Sequence, residues 1–318
     1  MFEVILTRKE LEAENIFLFE FQHPDGSALP PFTAGSHIDV QVRPGLIRQY
    51  SLCNHPQERH RYQLGVLQTA ESRGGSKGMH EDLHIGQTVL ISEPRNLFEL
   101  EQDASHSLLF AGGIGITPIL SMAEVLSDRG HSFSLYYFAR SASSAAFIKR
   151  VGKSRYCDST FCQFDDDDTQ ARLDIKVLLN NPEPRKHLYI CGPGGFMDFV
   201  LGVAREQQWP EANLHREYFS APGTPEEQSS DQFEIQVAST GQILEVGPQQ
   251  TVTDVLLTAG IEIPVSCQQG ICGTCVTKVL DGVPDHRDYY LSDREKASND
   301  QFTPCCSRAK SSRLVLDL

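Results

Sequence analysis

At 318 residues the chain is long enough for two or three domains with separate cores, and 40% hydrophobic with 22% charged residues is ordinary globular composition. The net charge of −14 is spread evenly, −5 over residues 1–102, −5 over 103–231 and −4 over 232–318, so no segment is basic enough for nucleic acid or an anionic membrane. No apolar run approaches the ~20 residues that span a bilayer, and the opening MFEVILTRK is charged too early for a signal peptide, so a cytoplasmic setting is expected.

Residues 1–102 read as β-structure. Ile38, Val40 and Val42 alternate with Asp39 and Gln41, and Phe17, Phe19 and Phe21 alternate likewise, the period-two mark of half-buried strands. The runs at 61–68 and 87–92 are similar, with glycine and proline between them, and several short strands at this spacing suggest an antiparallel barrel. Near the end of one expected strand stands Arg48-Gln49-Tyr50-Ser51-Leu52. A tyrosine ring can lie against an isoalloxazine, while an arginine and a serine hydroxyl can hold phosphate or ribityl oxygens. Downstream, Arg73-Gly74-Gly75-Ser76-Lys77 offers backbone N–H groups and a hydroxyl, a suitable phosphate nest. Alone, each is more often a plain strand and a plain surface loop.

From about residue 107 the pattern changes to strand, glycine turn and helix. An apolar run at 107–111 leads into Gly112-Gly113-Ile114-Gly115-Ile116-Thr117-Pro118 and an amphipathic stretch to about Leu126. Phe133–Ala139 is a second buried run, and 187–191 a third, followed by Gly192-Pro193-Gly194-Gly195 and a helix carrying Phe196, Val200 and Val203 on one face. This order predicts an α/β domain with a parallel sheet. The first turn departs from G-x-G-x-x-G, but it follows a buried strand and opens a helix, where N–H groups and the helix dipole favour a pyrophosphate. Thr117 is read as the N-cap and Pro118 as the first helical residue. The rival reading is a tight turn with no ligand. Asp165 to Asp168 reads as a solvated acidic turn, and 221–231 as a polar linker. Beyond it come strands at 233–238 and 243–246, a helix at 252–259 capped by Gly260, and a cysteine loop.

Five of the nine cysteines lie in the last 52 residues. Cys267-x4-Cys272-x2-Cys275, with Cys305 after 29 intervening residues, is a spacing that presents four thiolates to a plant-type [2Fe–2S] cluster. Zinc is the competing metal, but structural zinc sites usually show paired Cys-x2–4-Cys knuckles. Gly270 and Gly273 allow the positive φ angles that so tight a loop demands. Cys305 and Cys306 are adjacent, so spacing alone leaves either as fourth ligand; Cys305 is favoured. An odd cysteine count without a signal peptide suits reduced thiols and metal ligation better than disulfides.

Taken in order, the stretches at 48–52, 72–76, 94–98 (PRNLF), 111–118, 191–193, the cysteine loop, 285–288 (DHRD) and 306–308 (CSR) cover the whole chain. On them the chain resembles the phthalate dioxygenase reductase family, and within it the vanillate O-demethylase reductases. The resemblance implies an FMN-binding β-barrel domain at 1–102, an NADH-binding α/β domain at 103–222, a linker at 223–231 and a C-terminal β-grasp, plant-type ferredoxin domain at 232–318. It implies an NADH-dependent oxidoreductase passing electrons through FMN and a [2Fe–2S] cluster to a terminal Rieske-type oxygenase. That partner would act on an aromatic acid such as vanillate or phthalate. Carried across by motif, Arg48, Tyr50 and Ser51 would contact the flavin and Gly74, Gly75 and Ser76 its phosphate. Gly113, Gly115, Thr117 and Pro118 would shape the nucleotide turn, and Arg140 would meet the NADH ribose or phosphates. Cys191, Gly192 and Pro193 would lie by the nicotinamide, and Phe219 would shield the flavin ring. Cys267, Cys272, Cys275 and Cys305 would hold the cluster. No acid–base catalytic residue is expected. Two alternatives are a reductase for a carnitine or quaternary-amine oxygenase and a non-enzymatic iron–sulfur redox sensor; a sensor has no use for a nucleotide turn. No acidic residue after Phe133–Ala139 is assigned to the ribose 2′-hydroxyl.

Overall fold

The computed structural model describes residues 1–69, 74–167, 169, 171–220 and 232–318. Ser72 and Arg73, Asp168 and the expected linker at 221–231 lie outside the described residues. The chain divides into two compact units, Met1–Glu217 and Tyr218–Leu318.

The first unit begins with strands β1 (Phe2–Ala13), β2 (Ile16–Gln22), β3 (Ser36–Arg43), β4 (Leu46–Ser51) and β5 (Tyr62–Leu67). Helix α1 (Gly75–Glu81), β6 (Thr88–Ile91) and the short β7 (Arg95–Asn96) complete the expected barrel region. These strands form one antiparallel sheet in the order β4-β3-β6-β1-β2-β5, and a bridge between Leu52 and Leu64 joins its two ends. Phe19, Phe21, Ile38, Val40, Leu64 and Ile91 fill its interior, each at 0% exposure.

A second sheet follows: β8 (His106–Gly112), α2 (Ile116–Asp128), β9 (Phe133–Ala139), α3 (Ile148–Gly152), β10 (Thr160–Phe164), α4 (Ile175–Leu178), β11 (Lys186–Cys191), α5 (Gly194–Glu206) and β12 (Leu214–Glu217). Its five strands run parallel in the order β10-β9-β8-β11-β12. Parallel strands covered on both faces read as unbroken apolar runs, which is why Phe133–Ala139 was legible to the residue.

One expectation fails. The alternation in β2 predicts a half-buried strand, but Ile16 and Leu18 on its other face are buried as well. They join Cys53 and Phe98 from the barrel in a single core with Leu109, Ile116, Ile119 and Phe147. The strand's outer face is covered by the second sheet's own residues, which alternation within one strand cannot reveal. Asp39 on β3 is buried too, because Arg95 reaches it at 2.7 Å.

The second unit contains β13 (Phe233–Val237), β14 (Ile243–Val246), α6 (Val252–Thr258), β15 (Thr277–Asp281), β16 (Pro284–Asp285), α7 (Asp293–Ser298), β17 (Gln301–Phe302), β18 (Arg308–Ala309) and β19 (Arg313–Leu316). Its mixed sheet runs β14-β13-β19-β15-β17, with β13 and β19 parallel and α6 packed on the same core, the β-grasp arrangement. Thr251 and Asp254 close a capping box on α6, which fixes where that helix starts. Among the described residues no helix is long and apolar enough to cross a membrane.

Candidate functional site

Two turns at the C-terminal ends of β8 and β11 interlock. A Cβ placed on Gly115 would lie 2.2 Å from the Cys191 carbonyl oxygen and 2.7 Å from the Gly192 nitrogen. One on Gly192 would lie 2.9 Å from the Gly112 Cα. Any side chain at either position would wedge the turns apart. A Cβ on Gly113 would meet nothing within 4 Å, so the turn's outer lip is open where a pyrophosphate would approach a helix start. These residues fit a dinucleotide.

Two details of this turn differ from the sequence reading. Helix α2 is capped by Gly115, after a single 3-10 turn at Gly113–Gly115, so Thr117 is the second helical residue rather than the N-cap. The Thr117 hydroxyl donates to the Ile114 carbonyl at 3.1 Å, and the side chain is buried. Pro118 accordingly sits third in the helix, still within the first turn, where a missing N–H leaves no bond unmade. The 3-10 turn shifted the register.

A side-chain bond ties the barrel to the strand beside these turns. Ser51, at the end of β4, donates its hydroxyl to Glu217 Oε2 at 2.8 Å. Glu217 ends β12 and stands beside Cys191 in the sheet register. His37, opposite Ser51 in the barrel register, brings its Nδ1 to 3.9 Å from the other carboxylate oxygen. Burial pushes the Glu217 carboxyl up to about 7, with the Ser51 hydroxyl pulling against it. Burial, with the Glu217 charge behind it, likewise pushes the Cys191 thiol well above its ordinary range, so Cys191 presents a neutral S–H.

Sequence reasoning missed Glu217, although it lies two residues before Phe219 in a stretch already noticed. The usable signal was a carboxylate at the C-terminal end of a parallel strand, the edge where open α/β sheets place their ligands.

On the barrel side, the Arg48 side chain lies across Gly75; a Cβ there would come within 2.5 Å of the Arg48 Cγ. The strand motif and the glycine loop are thus brought together, as a flavin phosphate cradle requires. Tyr50 packs on the barrel core from β4. The Ser76 hydroxyl meets the Thr69 hydroxyl at 3.2 Å and its N–H at 3.3 Å. Gly74 caps α1 in the left-handed region at φ 86°. Arg140 is exposed at the end of β9, its carbonyl accepting from the Asp166 N–H at 3.1 Å, so the acidic turn is drawn up beside it. Phe219 is 39% exposed near the head of the second unit.

The four cysteines of the spacing motif are each at most 7% exposed. Among the described residues no three His, Cys, Asp or Glu side chains gather as they would around a single ion. The thiols form one chain of neighbours, Cys272 to Cys267 to Cys305 to Cys275. Its thiol neighbours Cys272 and Cys305 hold Cys267 below the ordinary thiol range, and Cys305 lowers Cys275 likewise. The Gln269 and Thr274 N–H groups point at the Cys267 and Cys272 sulfurs, both at 3.4 Å. Four neighbouring buried thiols with N–H donors aimed at sulfur fit the [2Fe–2S] cluster that the cysteine spacing points to. The Cys306 sulfur lies against Cys305 and also meets the Thr303 hydroxyl at 3.3 Å. All nine cysteines are free thiols.

Residues 235–310 match the 2Fe-2S iron-sulfur cluster binding domain. The chain is 54% identical over 319 residues to the vanillate O-demethylase oxidoreductase of Pseudomonas sp. (strain HR199 / DSM 7063), covering all of both. It is 38% identical over 314 residues to the phthalate dioxygenase reductase of Burkholderia cepacia, covering 98% of this chain and 96% of that one. A solved phthalate dioxygenase reductase, described as a modular structure for electron transfer from pyridine nucleotides to [2Fe–2S], superposes with a TM-score of 0.78 at 38% identity, over 100% of this chain and 98% of that one. A type IV self-sufficient cytochrome P450 monooxygenase superposes with a TM-score of 0.86 at 36% identity over 99% of this chain, which spans 41% of that longer protein. Matched along its whole length in this way, the chain belongs to the phthalate dioxygenase reductase family: it is an oxidoreductase that carries electrons from NADH through a flavin and a [2Fe–2S] cluster to an oxygenase component.

Proposed function

We propose that the oxygenase served is a Rieske-type demethylase of an aromatic acid, with vanillate the first substrate to test, and that the flavin is FMN. The vanillate reading rests on full-length identity of 54%, against 38% for the phthalate relative. One observation carries the site: the Ser51–Glu217 bond ties the flavin-type strand motif to the strand beside the Cys191-Gly192-Pro193 turn.

A flavin held there would supply the conversion between two-electron hydride chemistry and single-electron transfer, and a cluster on the cysteine loop would supply the one-electron relay. The protein's part is to hold and align. Arg48 supplies charge to the flavin phosphate across Gly75, helped by Gly74 and Ser76, and Tyr50 and Ser51 line the ring. Gly113, Gly115 and Thr117 present N–H groups to the dinucleotide, Pro118 fixes the backbone of the first helical turn, and Arg140 meets the ribose or phosphates. Cys191, Gly192 and Pro193 bound the nicotinamide, with the neutral Cys191 thiol excluding water. Phe219 shields the flavin ring. Cys267, Cys272, Cys275 and Cys305 ligate the cluster, and a cytoplasmic location accompanies reduced thiols.

The test is reconstitution. The purified protein, with NADH and a vanillate-demethylating oxygenase, should release formaldehyde from vanillate, and denaturation should release FMN. Coupling only to a phthalate or quaternary-amine oxygenase, or release of FAD, would overturn those two assignments separately.

A further inference from the structure

We infer that Gly65, Phe147 and Glu12 are positioning residues that set how closely the nucleotide turn approaches the flavin barrel. This inference rests on the functional reading above.

Gly65 lies mid-strand in β5, paired with Leu18 of β2, on the barrel wall that faces the nucleotide turn. A Cβ built there would sit 2.8 Å from the Thr117 Cγ2 and 2.9 Å from the Phe147 Cε2. Two side chains from the α/β part therefore converge on one bare point of the barrel. Neither can withdraw freely. Thr117 is 1% exposed and bonded back to Ile114 inside the turn. Phe147 is 2% exposed and belongs to the core shared by both sheets.

Phe147 also holds an unusual backbone, φ 61° and ψ 10°, just before α3. Bulky residues avoid this left-handed region unless their surroundings impose it. The imposing group comes from the barrel: Glu12 on β1 accepts the Phe147 N–H at 2.9 Å. Beside it the Glu14 N–H donates to the Ser143 carbonyl at 2.9 Å. The barrel thus latches the 143–147 segment by its backbone, and the latched ring and the Thr117 methyl together stop against Gly65. Hydride transfer needs its partners within a few tenths of an ångström of contact, and misplacement by about 1 Å can lower a rate about a hundredfold. The wedge of Gly65, Phe147 and Glu12 fixes that gap from behind the nucleotide turn.

Rapid mixing of the flavin-replete protein with saturating NADH, alongside calorimetric binding of NAD+, separates approach from affinity. Gly65→Ala should lower the limiting rate of flavin reduction by tenfold or more, while the NAD+ dissociation constant stays within about threefold, since the turn itself is intact. Glu12→Ala should lower the rate several-fold and Glu12→Gln, which keeps an oxygen acceptor, should restore it. If Gly65→Ala does not fold, the Glu12 pair decides alone. An unchanged rate in Gly65→Ala, or Glu12→Ala and Glu12→Gln behaving alike, overturns the wedge and leaves the functional reading standing. A wild-type protein whose flavin NADH does not reduce removes both.

Discussion

Around Gly115 the chain is held from behind by backbone: the Cys191 carbonyl and the Gly192 nitrogen leave no room for a side chain. Around Gly273 and Gly270 the holding is done by side chains, the Tyr290 ring within 2.5 Å of a would-be Cβ in one case and the Cys306 sulfur at 2.4 Å in the other. Both of these glycines are left-handed, at φ 68° and 71°, and residues 261–276 contain no helix or strand. The nucleotide turn is thus built by the sheet whether or not a ligand is bound. The cysteine loop is held by its thiols, by N–H···S contacts from Gln269 and Thr274, by the Tyr289 N–H on the Gly270 carbonyl and by the Tyr290 ring laid over Gly273. Metal–thiolate bonds complete such a loop, and their formation is part of its folding free energy.

Breaking that contrast at its strongest point means removing the iron. Chelation, or Cys275→Ser, should lower the melting of the Tyr218–Leu318 unit by about 10 °C or more, while the Met1–Glu217 unit melts as before. NADH-driven ferricyanide reduction, which draws on the flavin, should survive within about twofold; cytochrome c reduction through the cluster should be lost. Equal destabilisation of both units, seen by scanning calorimetry, would mean that the loop does not depend on metal. Cys306→Ser should keep the cluster spectrum and Cys305→Ser should not.

The converse perturbation is Gly115→Ala. Forcing a methyl against the Cys191 backbone should destabilise the first unit by about 3 kcal/mol and abolish NADH oxidation, with the iron–sulfur spectrum intact. A variant with wild-type denaturation midpoint would show that the two turns are not locked together.

What the sequence revealed follows the same division. The cysteine spacing stood out because cluster chemistry fixes the type and number of its ligands, and the three central parallel strands because burial on both faces favours apolar runs; the edge strands β10 and β12 did not stand out. The seam between the barrel and the α/β sheet was not. Ile16, Leu18, Gly65 and Phe147 carry no motif that would single them out; each acquires its role from a residue distant in the chain or from a partner strand. Glu217 was overlooked for a related reason: its bond to Ser51 spans 166 residues. The misread start of α2 is local, since no rule of helix capping announces a preceding 3-10 turn.

Titration sharpens the comparison within the first unit. Glu217 has a folded value of about 7 against 4.5 unfolded. Its contribution is fully present below the unfolded value and is lost as pH rises through about 7. Glu217→Gln should therefore stabilise the protein at pH 8, by something on the order of 2 kcal/mol, and make little difference at pH 5. Denaturant melts at the two pH values check this, and a pH-independent effect would show that the carboxyl is not held protonated.

A smaller effect is expected at the opposite end of β11 and β12. His187 Nδ1 and His215 Nε2 share a hydrogen bond at 2.9 Å, and His215 is held down to about 4, by burial first and by its neighbour second. Its folded value lies below the unfolded 6.5, so stability is complete above that value and declines as pH falls toward 4. Between pH 7 and 5.5 the loss should be about 1 kcal/mol or less, given the partial exposure, and His215→Phe should remove the dependence.

The central proposal is that one chain takes electrons from NADH beside the Ser51–Glu217 junction and passes them to an iron–sulfur cluster held by Cys267, Cys272, Cys275 and Cys305. Anaerobic mixing of the intact protein with one equivalent of NADH, followed at the flavin and iron–sulfur absorption bands, tests it most directly. The flavin band should bleach first and the cluster band after it, in protein containing two irons and two acid-labile sulfides per chain, the content a [2Fe–2S] centre requires. Zinc in place of iron, or a flavin band unmoved by NADH, would contradict the account.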